Sequence, residues 1–533
     1  MPRSRLLVLP ALLLLASPLL TAPSGAATAA PTYREYPSPI GADVTVGLPI
    51  PPELGSQPFV PDEQHGLADR AGEPTVGINP KTGNVMFFAK QQTLRVNGFD
   101  SKGPGSSVWA DATDQIEGLQ TSDPILHTDL DTGRTFINQL LVTGCSLQAF
   151  TDDDGKTYTR SPQGCGPGIA FDHQTLVTGK RTEGSAMPPT VGYPNYLYYC
   201  TNDVAQAACA TSIDGGLTFL PAIPVYTLAD SDCSGIFGHI KTSPTDGTLY
   251  LMPDGCGKVQ GVWRSDDNAV TWTFHPIPGS TVGAGGHPSI SVGRDGTLYA
   301  TWSSTLSSTS EGPLQVAVST SRGDTWTKPV AVGVDKGVLY TSFPLIAAGD
   351  GDRAVAAYLG ATEEGNPRNE AQYTGVWRLY VSTTYDRGRT WQTVVATPKS
   401  PIQVGSICTG GLSCGTDRNL LDFNDMDVDL RTGYPVIGLA DGCLKVTGCT
   451  KVDRLDKGLI VRQVSGQSLL RSAAPVAAPV PAAPRQPATA PTPTPSAPAS
   501  GNLPATGLGT ALPVVGLLLL LGAAWAARRR VTR

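Results

Sequence analysis

One pattern, Ser/Thr-x-Asp-x-Gly-x-Thr-aromatic, recurs five times between residues 150 and 392. The copies begin at Thr151, Ser212, Ser265, Ser319 and Thr384. Their third positions, Asp153, Asp214, Asp267, Ser321 and Asp386, lie 61, 53, 54 and 65 residues apart. Gly155, Gly216, Gly323 and Gly388 fill the fifth position, and Ala269 stands there in the third copy. A unit of this length cannot bury its own face and must stack on the next, so the repeat fixes the architecture before any local reading does.

Between about 40 and 465 no stretch keeps a helical period. Short alternating runs such as 249–252, 297–302, 314–319 and 376–382 are separated by Gly, Asp, Asn and Pro, and Gly numbers 60 in all. Short strands with regularly spaced turns predict an all-β fold. Seven units open with an apolar strand and a Gly turn: 73–83, 123–133, 172–179, 238–247, 286–296, 342–351 and 424–433. One four-stranded blade per unit predicts a β-propeller of seven blades, or of six if the first or last unit is misread. The last unit has only three strands of its own. Residues 42–47 are the expected fourth, closing the ring so that no sheet edge stays unpaired.

In each repeat the Asp accepts backbone N–H groups in a tight turn and the Gly takes a positive φ. The Thr re-enters a strand and the aromatic packs between sheets. The pattern resembles the Asp box of sialidases and related propellers, where it is a structural staple between the third and fourth strands of a blade. Hairpin parity then puts the boxes and the Gly turns on one face. The starts of the innermost strands and the long second loops share the other.

That second face, the loop face, is the expected functional one. A ring of Glu73, Asp123, Asp172, His173, His239, His287 and Asp425 falls at the strand starts and takes in three of the six histidines. Such a ring implies acid–base groups or a divalent metal, no cofactor being specified. The longest second loop, 360–375, adds Glu363, Glu364, Arg368, Glu370 and Tyr373 as ligand contacts. The sialidase resemblance also implies an arginine trio and a Phe/Tyr-Arg-Ile-Pro marker. Tyr33-Arg34-Glu35-Tyr36-Pro37 departs from that marker at its third residue, has one residue too many, and is expected off the blades. The innermost strands lack inward arginines. A binding propeller with a glycan or surface-protein ligand is therefore preferred to a secreted hydrolase of sialidase type.

The termini give an address. Arg3 and Arg5 precede an apolar run and an Ala-rich zone, the order of a secretory signal over residues 1–30. Leu503-Pro504-Ala505-Thr506-Gly507, an apolar stretch and three arginines resemble the sorting signal of Gram-positive surface proteins over 503–533. The resemblance implies sortase cleavage at Thr506–Gly507 and covalent transfer to peptidoglycan. The Pro/Ala/Thr-rich 471–502 reads as a stalk, and 31–470 as the propeller. Ten cysteines fit an oxidising setting. Neighbour pairing joins Cys145 to Cys165, Cys200 to Cys209, Cys233 to Cys256, Cys408 to Cys414 and Cys443 to Cys449. A net charge of −6 without a basic patch argues against nucleic acid.

Overall fold

The computed structural model describes residues 29–38 and 71–473, the latter without 91, 100–106, 115–121, 142–144, 162–170, 204–205, 228–231, 283–286, 308–309, 411–413, 415–417 and 445–447. The signal segment up to residue 28, the sorting motif and most of the stalk lie outside the described residues.

Seven antiparallel blade sheets follow one another in chain order, each with a four-stranded path, so the fold is a seven-bladed β-propeller. Gln403–Val404 adds a fifth strand to blade 6, and Cys233–Phe237 pairs with Pro253–Cys256 as a separate ribbon beside blade 4. Their innermost strands are Thr75–Ile78, Ser122–Thr128, Phe171–Gly179, Lys241–Thr242, Ser289–Val292, Tyr340–Ala348 and Asp425–Asp429 in blades 1 to 7. Blade 7 closes the ring with Thr32–Pro37, which pairs antiparallel to Lys457–Ser465. This corrects the expectation that residues 42–47, which lie outside the described residues, supply the closing strand. It also puts Tyr33–Pro37 on a blade, although on the outermost strand. Tyr36 decides the matter physically, since its ring is fully buried in the interface between blades 7 and 1.

Strand alternation sends successive side chains to opposite neighbours. Phe87 packs toward blade 7 with Val436 and Ile460, while Met86 and Phe88 pack toward blade 2 with Leu126 and Ile137. Among the described residues the core divides into seven such clusters, one at each blade interface. The box aromatics join them: Tyr158, Phe219, Trp272, Trp326 and Trp391 each pack into the interface with the preceding blade.

Each box lies on the turn between the third and fourth strands, as the resemblance implies. Asp153 accepts the N–H groups of Lys156 and Thr157 at 3.0 and 2.9 Å and the Thr157 hydroxyl at 2.8 Å. Desolvation pushes its carboxyl up, but these bonds together outweigh it and hold the group down at about 2. Ser321 keeps only part of this, accepting Thr325 N–H at 2.9 Å. Every box carries two consecutive left-handed residues, for example Arg322 and Gly323 at φ 60° and 91°. Ala269 holds the second of these at φ 68°, and its methyl is buried between blades 3 and 4.

The residue before the box glycine has a task that the motif does not specify. In four blades its side chain reaches back to the Gly turn of the preceding blade. Asp154 accepts Asn79 and Asn84 amides at 2.6 and 2.7 Å. Asn268 donates to Lys180 O and accepts from Thr182. Arg322 pairs with Asp246, and Arg387 with Asp295. Blade 3 has Gly215 at this position, and there Arg134 of blade 2 reaches forward to the Gly215 carbonyl.

Asn268 is fully buried with four hydrogen-bond partners, counting Tyr198 Oη and Thr182 Oγ1, whereas Arg322 is half exposed. Replacing Asn268 by Ala is expected to cost about 2–3 kcal/mol in urea unfolding, because buried groups are left unpaired. Replacing Arg322 by Ala should cost below about 1 kcal/mol. Equal losses would contradict this ranking.

Candidate functional site

The innermost strands expose an unpaired edge to the axis, and side chains of the neighbouring blade satisfy it. Asp425 and Asp427 accept the N–H groups of Val76 and Ile78. Thr75 accepts Leu126 N–H, Thr175 accepts Ile240 N–H, and Ser289 and Ser291 accept Ile346 and Ala348 N–H. His127 Nε2 accepts Thr178 N–H at 3.0 Å. These ties set the register around the ring and define three levels along the axis.

The level nearest the loop face holds Glu73, Asp123, His173, Phe237, His287, Phe343 and Phe423. The next holds His239 and Asp425, two residues deeper into their strands. Glu73, Asp123, His173 and Phe343 sit at φ 57°, 50°, 57° and 53°. Pairing slips at these positions in blades 2, 3 and 6. The left-handed residue occurs under carboxylate, imidazole and phenyl alike, so it belongs to the blade design, aiming the side chain at the axis. Of the two adjacent residues expected in the ring, Asp172 and His173, His173 occupies this level, and the Asp172 side chain lies outside what is described.

The ring is a plug. The ring centroid of His173 lies 4.6 Å from that of His287, 6.1 Å from His239, 5.1 Å from Phe237 and 5.5 Å from Phe423. Phe423 comes from the connection between blades 6 and 7, described at 396–410, 414 and 418–424, and this cap sets its ring against His173, His239 and His287. Trp377 Nε1–H donates to Gly405 O at 2.7 Å, and the Gln403 and Asn419 amides bond each other at 3.0 and 3.2 Å. Leu421 packs on Gly72, where a Cβ would come within 2.6 Å of it. Glu73, His173, His287 and Asp425 are consequently buried and Asp123 half-buried.

Burial and mutual repulsion set the charges there. Burial, with Asp123 and Asp422 close by, pushes the Glu73 carboxyl well above the usual range. Burial and Asp422 raise Asp123 as well, partly offset by a bond from Glu73. Burial, reinforced by the two other imidazoles, keeps His173 well below its usual value and hence neutral. Burial opposes charge on His287 too, but Asp254 at 3.7 Å outweighs it and raises the ring. His239 Nδ1 meets Asp425 at 3.3 Å, joining blades 4 and 7 across the axis.

The metal expectation finds no support. Among the described residues no group of three or more His, Cys, Asp and Glu side chains is placed to hold a metal ion. His173 and His239 are stacked within 14° of parallel, so their in-plane lone pairs do not converge.

In the 360–375 loop, Glu363 accepts Thr362 and Val376 N–H groups, and buried Tyr373 packs on Tyr340 and Trp377. These two fold the loop. Glu364, Arg368 and Glu370 remain exposed. Disulfides hold this face: Cys200–Cys209 flanks the second turn of blade 3, and Cys233–Cys256 the entry to blade 4. Cys408–Cys414 closes a loop of the cap, and Cys443–Cys449 the second loop of blade 7. The fifth expected pair differs from these four. Cys145 opens the third strand of blade 2, Cys145–Thr151, but Cys165 lies in the segment 162–170, outside the described residues. The expected Cys145–Cys165 pair therefore lies outside the described residues, and the other four expected pairs are present.

Sequence reasoning missed the open end of the axis. A cavity of about 410 Å³ opens on the Asp-box face, with Asp131, Lys180 and Arg294 exposed at its rim. Its floor is His239 and Asp425, and Lys241 and Asp427 line it at the third level. Alternation from His239 to Lys241 and from Asp425 to Asp427 was the available signal.

No family model matches the chain, and no curated protein matches it. Among solved structures, a protein of unknown function from Dyadobacter fermentans aligns at 12% identity and TM-score 0.39, covering 74% of this chain and 95% of that one. The NanB sialidase of Streptococcus pneumoniae aligns at 11% and 0.36, covering 72% and 82%. The intramolecular trans-sialidase of Ruminococcus gnavus aligns at 14% and 0.35, covering 74% and 95%. Likenesses this distant assign no residue a role.

Asp441, buried where blade 7 enters its second loop, titrates at about 7, chiefly through burial with Glu35 adding. The native state therefore keeps a proton that the unfolded chain has lost, and stability falls as pH rises from about 4 to 7. Asp441→Asn is expected to stabilise by about 4 kcal/mol above pH 7 and not at all near pH 4. A gain independent of pH in urea titrations would refute this.

Proposed function

We propose that the chain is an exported recognition module, a propeller held at a Gram-positive wall that binds a glycan or surface protein through its loop face. The supporting observation is how the two faces are built. The ring of acid and base groups is sealed beneath Phe423, while four disulfides stiffen the loops around it. Rigid, exposed loops over a closed axis suit binding, since little loop entropy is lost on contact.

The arginines agree with this reading. Carboxylate recognition needs guanidinium groups aimed at the ligand. Arg134, Arg264, Arg322, Arg387 and Arg431 instead bond carboxylates and carbonyls of the Asp-box face. Attachment rests on the Leu503–Gly507 resemblance, with sortase and peptidoglycan as the partners. Thr506→Ala is expected to release the protein from muramidase-solubilised wall fragments into the membrane or medium fractions. Continued recovery with glycan fragments would rule out sortase attachment.

A glycan array, together with fluorogenic glycosides, tests the propeller itself. Binding without turnover is expected. Replacing Cys408, Cys414, Cys443 and Cys449 by Ser should weaken it at least tenfold with unchanged far-UV circular dichroism. A hydrolase is the second reading, favoured by one observation: Glu73 is a carboxyl held protonated beside a second carboxyl, as a general acid would be. Sialoside turnover that disappears in Glu73→Gln would put catalysis in place of binding.

A further inference from the structure

The axial cavity on the Asp-box face is electrically divided. Lys180, Lys241 and Arg294 come from the consecutive blades 3, 4 and 5. Asp131, Asp425 and Asp427 come from blades 2 and 7, which flank blade 1 on the far side of the axis. Lys241 and Asp427 occupy the same level on opposing blades. Among the described residues the half-buried Lys241 ammonium makes no direct hydrogen bond or ion pair, and it acts on the Asp425 and Asp427 carboxyls only through space, favouring their charged forms. Asp427 accepts only backbone N–H groups, those of Ile78 at 3.3 Å and Val428 at 2.7 Å. Between the two arcs the wall is aliphatic, with Ile346, Met426, Val428 and Leu470.

We propose that this cavity binds a small aliphatic zwitterion, its carboxylate on Lys241 and its ammonium on Asp427. A half-buried ammonium that feels carboxylates only at a distance gains from a ligand carboxylate brought into direct contact. A ligand with one charge would satisfy one arc and meet repulsion from the other, so selectivity for both charges together is the signature. The volume of about 410 Å³ lies in the range of small-ligand sites, about 300–1,000 Å³. The aliphatic wall favours a ligand whose charges are separated by methylene groups. This site is on the face opposite the proposed loop-face ligand and does not depend on that reading.

Calorimetric titration of the whole exported protein with 6-aminohexanoate, L-leucine, hexanoate and hexylamine tests the idea. At least one zwitterion is expected to bind at least tenfold more tightly than both single-charge controls. Lys241→Met and Asp427→Asn should each reduce that binding at least tenfold, with far-UV circular dichroism unchanged. Asn at 427 retains an acceptor for Ile78 N–H, and the thermal midpoint of each variant checks that it folds. Equal binding of the single-charge controls, no binding of any probe, or full binding by a folded Lys241→Met protein would overturn the proposal.

Discussion

Every blade of this protein is completed by its neighbour. An innermost strand presents N–H groups to the axis that its own sheet cannot satisfy, and a buried unpaired donor is costly. Side chains of the preceding blade accept them, from the Asp425–Val76 tie at ring closure to the Ser289–Ile346 tie between blades 5 and 6. Because acceptor and donor differ by one position in each pair, these ties fix the relative height of the blades at the five interfaces where they occur. The polar levels along the axis follow from that register.

The two faces use different chemistry for the same end. On one, Asp boxes tighten the outer turns of five blades, and in four of them the first left-handed residue of the box reaches the preceding blade. On the other, loops of unequal length have no repeating turn to lock them, and disulfides take over. The cap between blades 6 and 7 belongs to this second system. It seals the axis with Phe423, which converts a ring of titratable groups from a mouth into a plug.

Much of this was legible in advance. The boxes, the Gly turns and the seven strand openings are local signals with fixed spacing, and so are the four described cysteine pairs, each close in sequence. The pairing expected for Cys165 has no counterpart among them, since that residue falls outside the described part of the chain. The closing strand was misplaced because Thr32–Pro37 pairs with residues more than 400 positions away, and no local pattern encodes that choice. The ring residues share the axis, but His239 and Asp425 lie one level deeper than the other strand starts, a difference in height that composition does not encode. Phe237, Phe343 and Phe423 were passed over because phenyl groups carry no chemical signal, although they occupy the same level as Glu73 and His173.

Five copies of one turn determined by themselves that the chain is a propeller, which face carries the staples and which carries the loops. Turn geometry is local, so residue types at fixed offsets suffice to encode it. Only the tertiary structure decided which end of the axis is open. That outcome depends on where a single connection of irregular conformation comes to rest, and on Gly72 making room for Leu421 from the far end of the chain. Packing across such sequence distances is set by shape and burial, which no repeat records.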